Sequence, residues 1–255
     1  MTESILLTTA RLSTFFGTQL LTVASGFFFE REERLYLVTS RHVLVDLSSG
    51  HQPNRLEIEM HTDIDDLAKA VAFSVLLYDE GRAVWHQGRD GAGDIDVAVI
   101  ELDRSALPDP VVLRPFSPEH LTRSLDKVEV GASLLVVGFP LGFHDTLHHL
   151  PVARRAAIAS SFGLRFQGQG YFLTDCRTHR GSSGAPVVMR SGAADDPLPW
   201  TLLGVHSSRM DMSSRDMFQD ESLGLNCAWY ADILLTLTEA EPVAEAGASE
   251  AIMTP

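Results

Sequence analysis

Long apolar runs are missing from this chain, cysteine nearly so, and positive charge is outweighed by negative. No stretch approaches the roughly 18 unbroken apolar residues of a membrane helix, so no transmembrane segment is expected. The first residues, Met1-Thr2-Glu3-Ser4-Ile5-Leu6-Leu7, carry no cationic n-region, and no long apolar run with a small-residue cleavage site follows them. Only Cys176 and Cys227 could form a disulfide, and two isolated thiols fit a reducing compartment at least as well. With 20 basic against 34 acidic residues the formal net charge is −14. Such a surface repels phosphate backbones and anionic lipid, so neither nucleic acid nor a membrane is an expected partner. A soluble, cytoplasmic chain is the expectation.

What is present belongs to a folded protein. Hydrophobic residues make up 45% and charged residues 21%, which excludes a disordered or fibrous body. The 255 residues suffice for one large domain or two small ones. Leu20 to Phe29 and Leu35 to Thr39 are strand-like and flank a charged turn, so they predict a hairpin. Further strands are expected over 55–60, 71–78, 95–102, 133–138, 156–161, 170–174, 186–189 and 200–206. Many short strands separated by turn signals suggest a barrel or a sandwich. A proline-rich stretch divides them into two groups. The expected organisation is therefore a barrel over 1–108, a connection over 109–126, a second barrel with a terminal helix over 127–238, and a flexible acidic tail over 239–255. The helix is read from the spacing of Trp229, Ile233, Leu234 and Leu237.

Three segments carry chemistry. Tyr36 to Val43 is a strand ending in His42, Asp94 to Ile100 is an apolar strand entered through carboxylates, and Gly181-Ser182-Ser183-Gly184-Ala185-Pro186 holds a serine between glycines. A serine hydroxyl is a poor nucleophile until a neighbouring base takes its proton. Histidine suits that task because its pKa of about 6.5 lets it accept and return a proton near neutrality. A carboxylate then fixes the imidazole tautomer. Backbone N–H groups must also converge on the developing oxyanion, and the glycines permit such a loop. We assign that role to the N–H groups of Gly181 and Ser183. Asp94 and Asp96 lie two apart on an extended strand and face the same way, so the residues alone leave both open.

Together these segments resemble trypsin-like peptidases, especially the bacterial HtrA-like branch without PDZ domains. In that branch the histidine sits in a "TxRHV" context, the aspartate in "DxAV" and the serine in "TDxxxxxGxSGxP"; the last reads here Thr174 to Pro186. Val137-Gly138-Phe139-Pro140 resembles a strand of the second barrel, and the likeness runs from about Val23 to Leu237. The resemblance implies an all-β fold of two six-stranded antiparallel β-barrels with a C-terminal helix. It also implies a serine endopeptidase that needs no cofactor and cuts a protein or peptide substrate through an acyl-enzyme. It selects Asp96 over Asp94, completing a triad of His42, Asp96 and Ser183. Ser182 stands where blood-type trypsins carry the aspartate that pairs with a freshly cut N-terminus, so that activation switch is not expected.

The same resemblance places Thr178 and His206 at the primary specificity pocket, with Arg177 nearby. Glutamyl endopeptidases and picornavirus-type processing proteases are similar at both positions, which implies a preference for Glu or Gln before the scissile bond. His144, His148 and His149 have no carboxylate or cysteine partner at metal-motif spacing, so no metal site is expected. Two rivals remain. A catalytically silent protease-fold module that binds a peptide or protein would not require all three triad residues. An α/β-hydrolase esterase would run Ser, Asp, His, the reverse of the order here.

Overall fold

The structure is a computed structural model, and it describes residues 2–122, 128–192, 196–211 and 222–239. Nine strands form its N-terminal half: β1 (Thr9–Phe16), β2 (Gln19–Arg31), β3 (Arg34–Thr39), β4 (Arg55–His61), β5 (Ala70–Leu76), β6 (Tyr78–Asp79), β7 (Arg82–Ala83), β8 (Trp85–Asp90) and β9 (Gly93–Leu102). A single turn of helix, α1 (Arg41–Leu44), follows β3. Six strands form the C-terminal half: β10 (Ser133–Gly138), β11 (Val152–Ile158), β12 (Tyr171–Asp175), β13 (Pro186–Arg190), β14 (Trp200–Asp211) and β15 (Ser222–Tyr230). A short helix, α2 (Ile233–Leu237), comes last.

The C-terminal strands close into a barrel in the order β10-β11-β12-β15-β14-β13. The N-terminal sheet differs from the expected six-stranded barrel. It has seven strands in the order β5-β4-β1-β2-β3-β9-β8, and among the described residues no pairing joins its two edges. The reason lies between those edges: β6 and β7 pair only with each other, so the chain leaving β5 makes a separate hairpin before it enters β8.

The β2–β3 hairpin appears as expected, with Arg31 opposite Arg34 across a two-residue loop. Glu32 and Glu33 both take positive φ there, 52° and 65°, the mirror-image turn whose twist matches the strands. Glutamate is a poor residue for that conformation, and Arg104 helps hold it by donating from Nε to the Glu33 carbonyl at 2.9 Å.

Alternate residues of the central strands enter different cores. Phe28, Leu35, Leu37, Ala98 and Ile100 pack inside the N-terminal sheet. Phe27, Phe29, Tyr36, Val38, Val97 and Val99 face the other way, onto Val137, Val188, Leu202 and Val205 of the barrel. Both faces of β2, β3 and β9 are thus buried, which is why they read as unbroken apolar runs rather than alternating ones. The connecting segment is no free linker, since Phe116 is wholly buried in the core between the sheets, edge-on to Phe27 at 5.7 Å. Residues 123–126 of the expected connection and 240–255 of the expected tail lie outside the described residues.

The terminal helix is shorter than its apolar spacing predicts. Trp229 belongs to β15, where it pairs with Val205 and Tyr171 and helps to close the barrel. Leu234 and Leu237 of α2 then cap the core between the sheets. Among the described residues, no helix is long and apolar enough to cross a membrane.

Candidate active site

The turn of α1 begins at Ser40, directly after β3, and its dihedrals aim His42 across the sheet at β9. There the His42 backbone N–H donates to Asp96 Oδ1 at 2.8 Å, and His42 Nδ1 lies 2.7 Å from Asp96 Oδ2. A carboxylate oxygen in this pairing accepts, so Nδ1 carries the proton and Nε2 keeps its lone pair. The Ser207 hydroxyl donates a third hydrogen bond to the same carboxylate. Asp94 does something else: it sits 3.8 Å from both Arg41 and Arg89, at the half-exposed start of β9.

Burial opposes charge on the His42 ring, but the hydrogen bond and charge of Asp96 outweigh it and hold the pKa above the usual histidine value.

Ser183 lies on the loop between β12 and β13, and that loop is tied down on two sides. Its carbonyl accepts from Ser25 N of β2 at 3.0 Å, while Gly184 N donates to the His206 carbonyl of β14 at 2.8 Å. Gly184 has φ +83°, and a Cβ there would lie 2.2 Å from the Ser25 carbonyl and from Thr39 Oγ1, so only glycine fits. At rest the Ser183 hydroxyl donates to the Ser207 carbonyl at 3.1 Å. Among the described residues it makes no hydrogen bond to His42, although both line one pocket of about 370 Å³ with Gly181, Arg180 and His51.

The Arg180–Gly181 peptide has a defined orientation. The Arg180 carbonyl accepts from Leu141 N at 2.5 Å, and in a trans peptide this turns the Gly181 N–H the opposite way. Gly181 has φ +90°, and a Cβ there would meet the Phe139 carbonyl at 2.5 Å. Among the described residues neither the Gly181 nor the Ser183 N–H has an intramolecular acceptor. Ser25, wholly buried, holds this arrangement from behind: its hydroxyl donates to the Gly181 carbonyl at 2.7 Å and accepts from Phe139 N at 3.0 Å.

The three specificity candidates are scattered. Thr178 is buried and its hydroxyl donates to Asn226 Oδ1. His206 is also buried, its Nδ1 has no partner, and its pKa is pushed down to about 4, chiefly by burial and further by His42, with Asp96 opposing. Arg177 lines a different, shallow pocket with Arg155, Asp175 and Cys176; the arginine beside His42 and Ser183 is Arg180. Cys176 and Cys227 are both buried and free, and burial raises both thiol pKa values.

Sequence reasoning passed over Ser25, Ser207 and Arg180. Ser207 carried one signal, its place directly after His206 on a strand; Ser25 carried only the Ser25-Gly26 break. It also missed a carboxylate for the histidines, since Glu59 of β4, distant in sequence, lies 3.1 Å from His149 Nδ1.

Residues 24–194 match the trypsin-like peptidase domain. No curated protein matches the chain in sequence. Among solved structures, the HtrA-type protease AlgW with a tripeptide superposes with a TM-score of 0.53 at 17% identity, over 91% of this chain and 58% of that one. A serine endoprotease from Yersinia pestis gives 0.52 at 13% identity, over 91% of this chain and 61% of its own. This chain therefore spans less than two thirds of either neighbour, and at such identities the likeness is one of fold. The family match covers most of the sequence and both halves of the site: this chain belongs to the trypsin-like peptidase family.

Proposed function

We propose that the chain is a serine endopeptidase in which Ser183 attacks the scissile carbonyl, His42 takes and returns the proton, and Asp96 orients His42. The observation that carries this reading is the pairing of both His42 N–H groups with the Asp96 carboxylate, in a pocket that Ser183 and Gly181 also line. For attack, the Ser183 hydroxyl must leave the Ser207 carbonyl and donate to His42 Nε2. The oxyanion of the tetrahedral intermediate, which collapses to the acyl-enzyme, would be met by the N–H groups of Gly181 and Ser183, both free of internal acceptors among the described residues. We take 1–108 and 127–238 as the two units, an open N-terminal sheet and a closed C-terminal barrel, with 109–126 joining them and 239–255 a tail. The test is digestion of an unfolded protein by wild type and Ser183→Ala. Fragments from the wild type alone support the reading, and equal fragments from both exclude Ser183 as the nucleophile.

For specificity, the orphaned Nδ1 of His206 supports a polar side chain, Gln or Glu, before the scissile bond, since an unpaired buried polar group discriminates against a side chain that cannot pair with the imidazole. With its pKa near 4, His206 is neutral at neutral pH, so Gln and Glu should be accepted about equally. Thr178 supports this less, because its hydroxyl proton is committed to Asn226. A second reading, a binding module without catalysis, is favoured by the resting Ser183–Ser207 hydrogen bond. It requires that Ser183 fail to react with a fluorophosphonate in folded protein.

A further inference from the structure

We propose that Glu59, His144 and His149 form a zinc site that joins the N-terminal sheet to the loop between β10 and β11. The site goes beyond the peptidase reading and does not depend on it. Glu59 sits on β4 between Ile58 and Met60, which point into the core of the sheet. Its side chain therefore leaves the opposite face, toward residues of the β10–β11 loop. One ligand atom from each of the three residues lies within 4.8 Å of the others. Zinc bonds of about 2.0–2.2 Å in a tetrahedron set ligand atoms roughly 3.3–3.5 Å apart. Side-chain rotation need close the cluster by at most about 1.5 Å to reach that geometry.

Three further features prepare these residues for a cation. Glu59 Oε2 is buried and has no hydrogen-bond partner, an expensive state for a carboxylate oxygen unless something positive meets it. An ion pair of Glu59 with His149 accounts for Oε1 alone. His144 Nδ1 lies 2.6 Å from the Gly142 carbonyl, which can only accept. The proton is thus fixed on Nδ1 and the lone pair on Nε2, the tautomer setting that metal-binding histidines use. His61, also buried, has Nε2 2.8 Å from the His148 carbonyl and its ring 6.4 Å from that of His149, so it holds the backbone of the ligand-bearing loop.

The donor set separates transition metals from the hard cations, and zinc is the redox-inert member of the first group. Two imidazoles and one carboxylate suit zinc and leave a fourth position for water, whereas calcium and magnesium call for oxygen ligands throughout. The same loop carries Leu141, whose N–H turns the Arg180–Gly181 peptide. A bound zinc would therefore tie that loop to β4.

The test is calorimetric titration of the chelator-treated full chain with zinc chloride, together with melting curves. We expect about one zinc per chain, a higher melting temperature with zinc, and no comparable uptake of calcium. His144→Ala, His149→Ala and the isosteric Glu59→Gln should each weaken binding roughly tenfold or more, consistent with loss of a ligand. His148→Ala, which removes only an exposed partner of Asp145, should leave binding unchanged. Glu59→Gln, which changes no volume, keeps the comparison valid if an alanine variant misfolds. No zinc uptake at 0.1 mM-scale concentrations, uptake unchanged in Glu59→Gln and His149→Ala, or calcium bound as tightly as zinc would each overturn the site. None of these readouts uses peptidase activity, so a failed peptidase assay leaves the result standing.

Discussion

The two halves of the molecule hold their parts of the site by different means. The N-terminal sheet carries His42 and Asp96 on α1 and β9, elements fixed by the β3–β9 pairing, so imidazole and carboxylate meet through regular secondary structure. The C-terminal barrel offers Ser183 on a loop held by scattered hydrogen bonds to Ser25, Leu141 and His206. One half is therefore rigid by construction and the other is held by a few tertiary contacts.

The largest effects should come from the rigid half. Asp96→Asn should lower turnover of a good peptide by roughly four orders of magnitude, because an amide can hold the imidazole in the wrong tautomer. Asp94→Asn, which loses only long contacts with Arg41 and Arg89, should stay near wild type. Collapse of Asp94→Asn with Asp96→Asn intact would move the orienting carboxylate to Asp94.

Next comes the loop-held half. Ser25→Ala removes the donor to the Gly181 carbonyl and strands the Phe139 N–H. We expect kcat to fall about 10–100-fold, less than the 10²–10³-fold seen when an oxyanion donor is lost outright, with KM little changed. Stability should drop by about 1–3 kcal/mol from the unpaired buried donor. Unchanged kcat would show that the Gly181 peptide keeps its orientation without Ser25.

Histidine titration sharpens the contrast further. His42 must be neutral to act as base, so the rate falls as pH drops through its pKa. Since that pKa is raised, the acid limb of kcat/KM should lie above the ordinary 6.5. His206 is shifted the other way, to about 4, so the Glu-to-Gln preference ratio should stay flat from about pH 6 to 9. A ratio that declines across that window would mean His206 is protonated when substrate binds.

The smallest expected effect concerns the thiols. Both cysteines should titrate as free in denaturant, and reductant should not shift the melting temperature. A disulfide would contribute about 2–4 kcal/mol and its loss would be visible.

The same division explains what could be read from sequence. Strands with long apolar runs, such as β2, β3, β9 and β10, announced themselves, and His42, Asp96 and Ser183 sat in recognisable contexts. Strands β1, β8 and β15 did not. Polar residues interrupt β1 and β8, and the apolar spacing that begins in β15 at Trp229 imitates a helix. Nor could spacing show the open pairing of the N-terminal sheet, which turns on where the β6–β7 hairpin falls. Contacts made across the cleft were equally hidden: Ser25 meets Gly181, and Glu59 meets His149, only after the two halves dock. Segments along one strand were legible; contacts between sheets were not.

The most direct measurement is labelling of the intact chain with a fluorophosphonate, followed by mapping of the adduct. One adduct is expected, on Ser183, formed without N-terminal trimming and lost in His42→Ala. Folded wild-type protein that does not react, or an adduct on another serine, would contradict it.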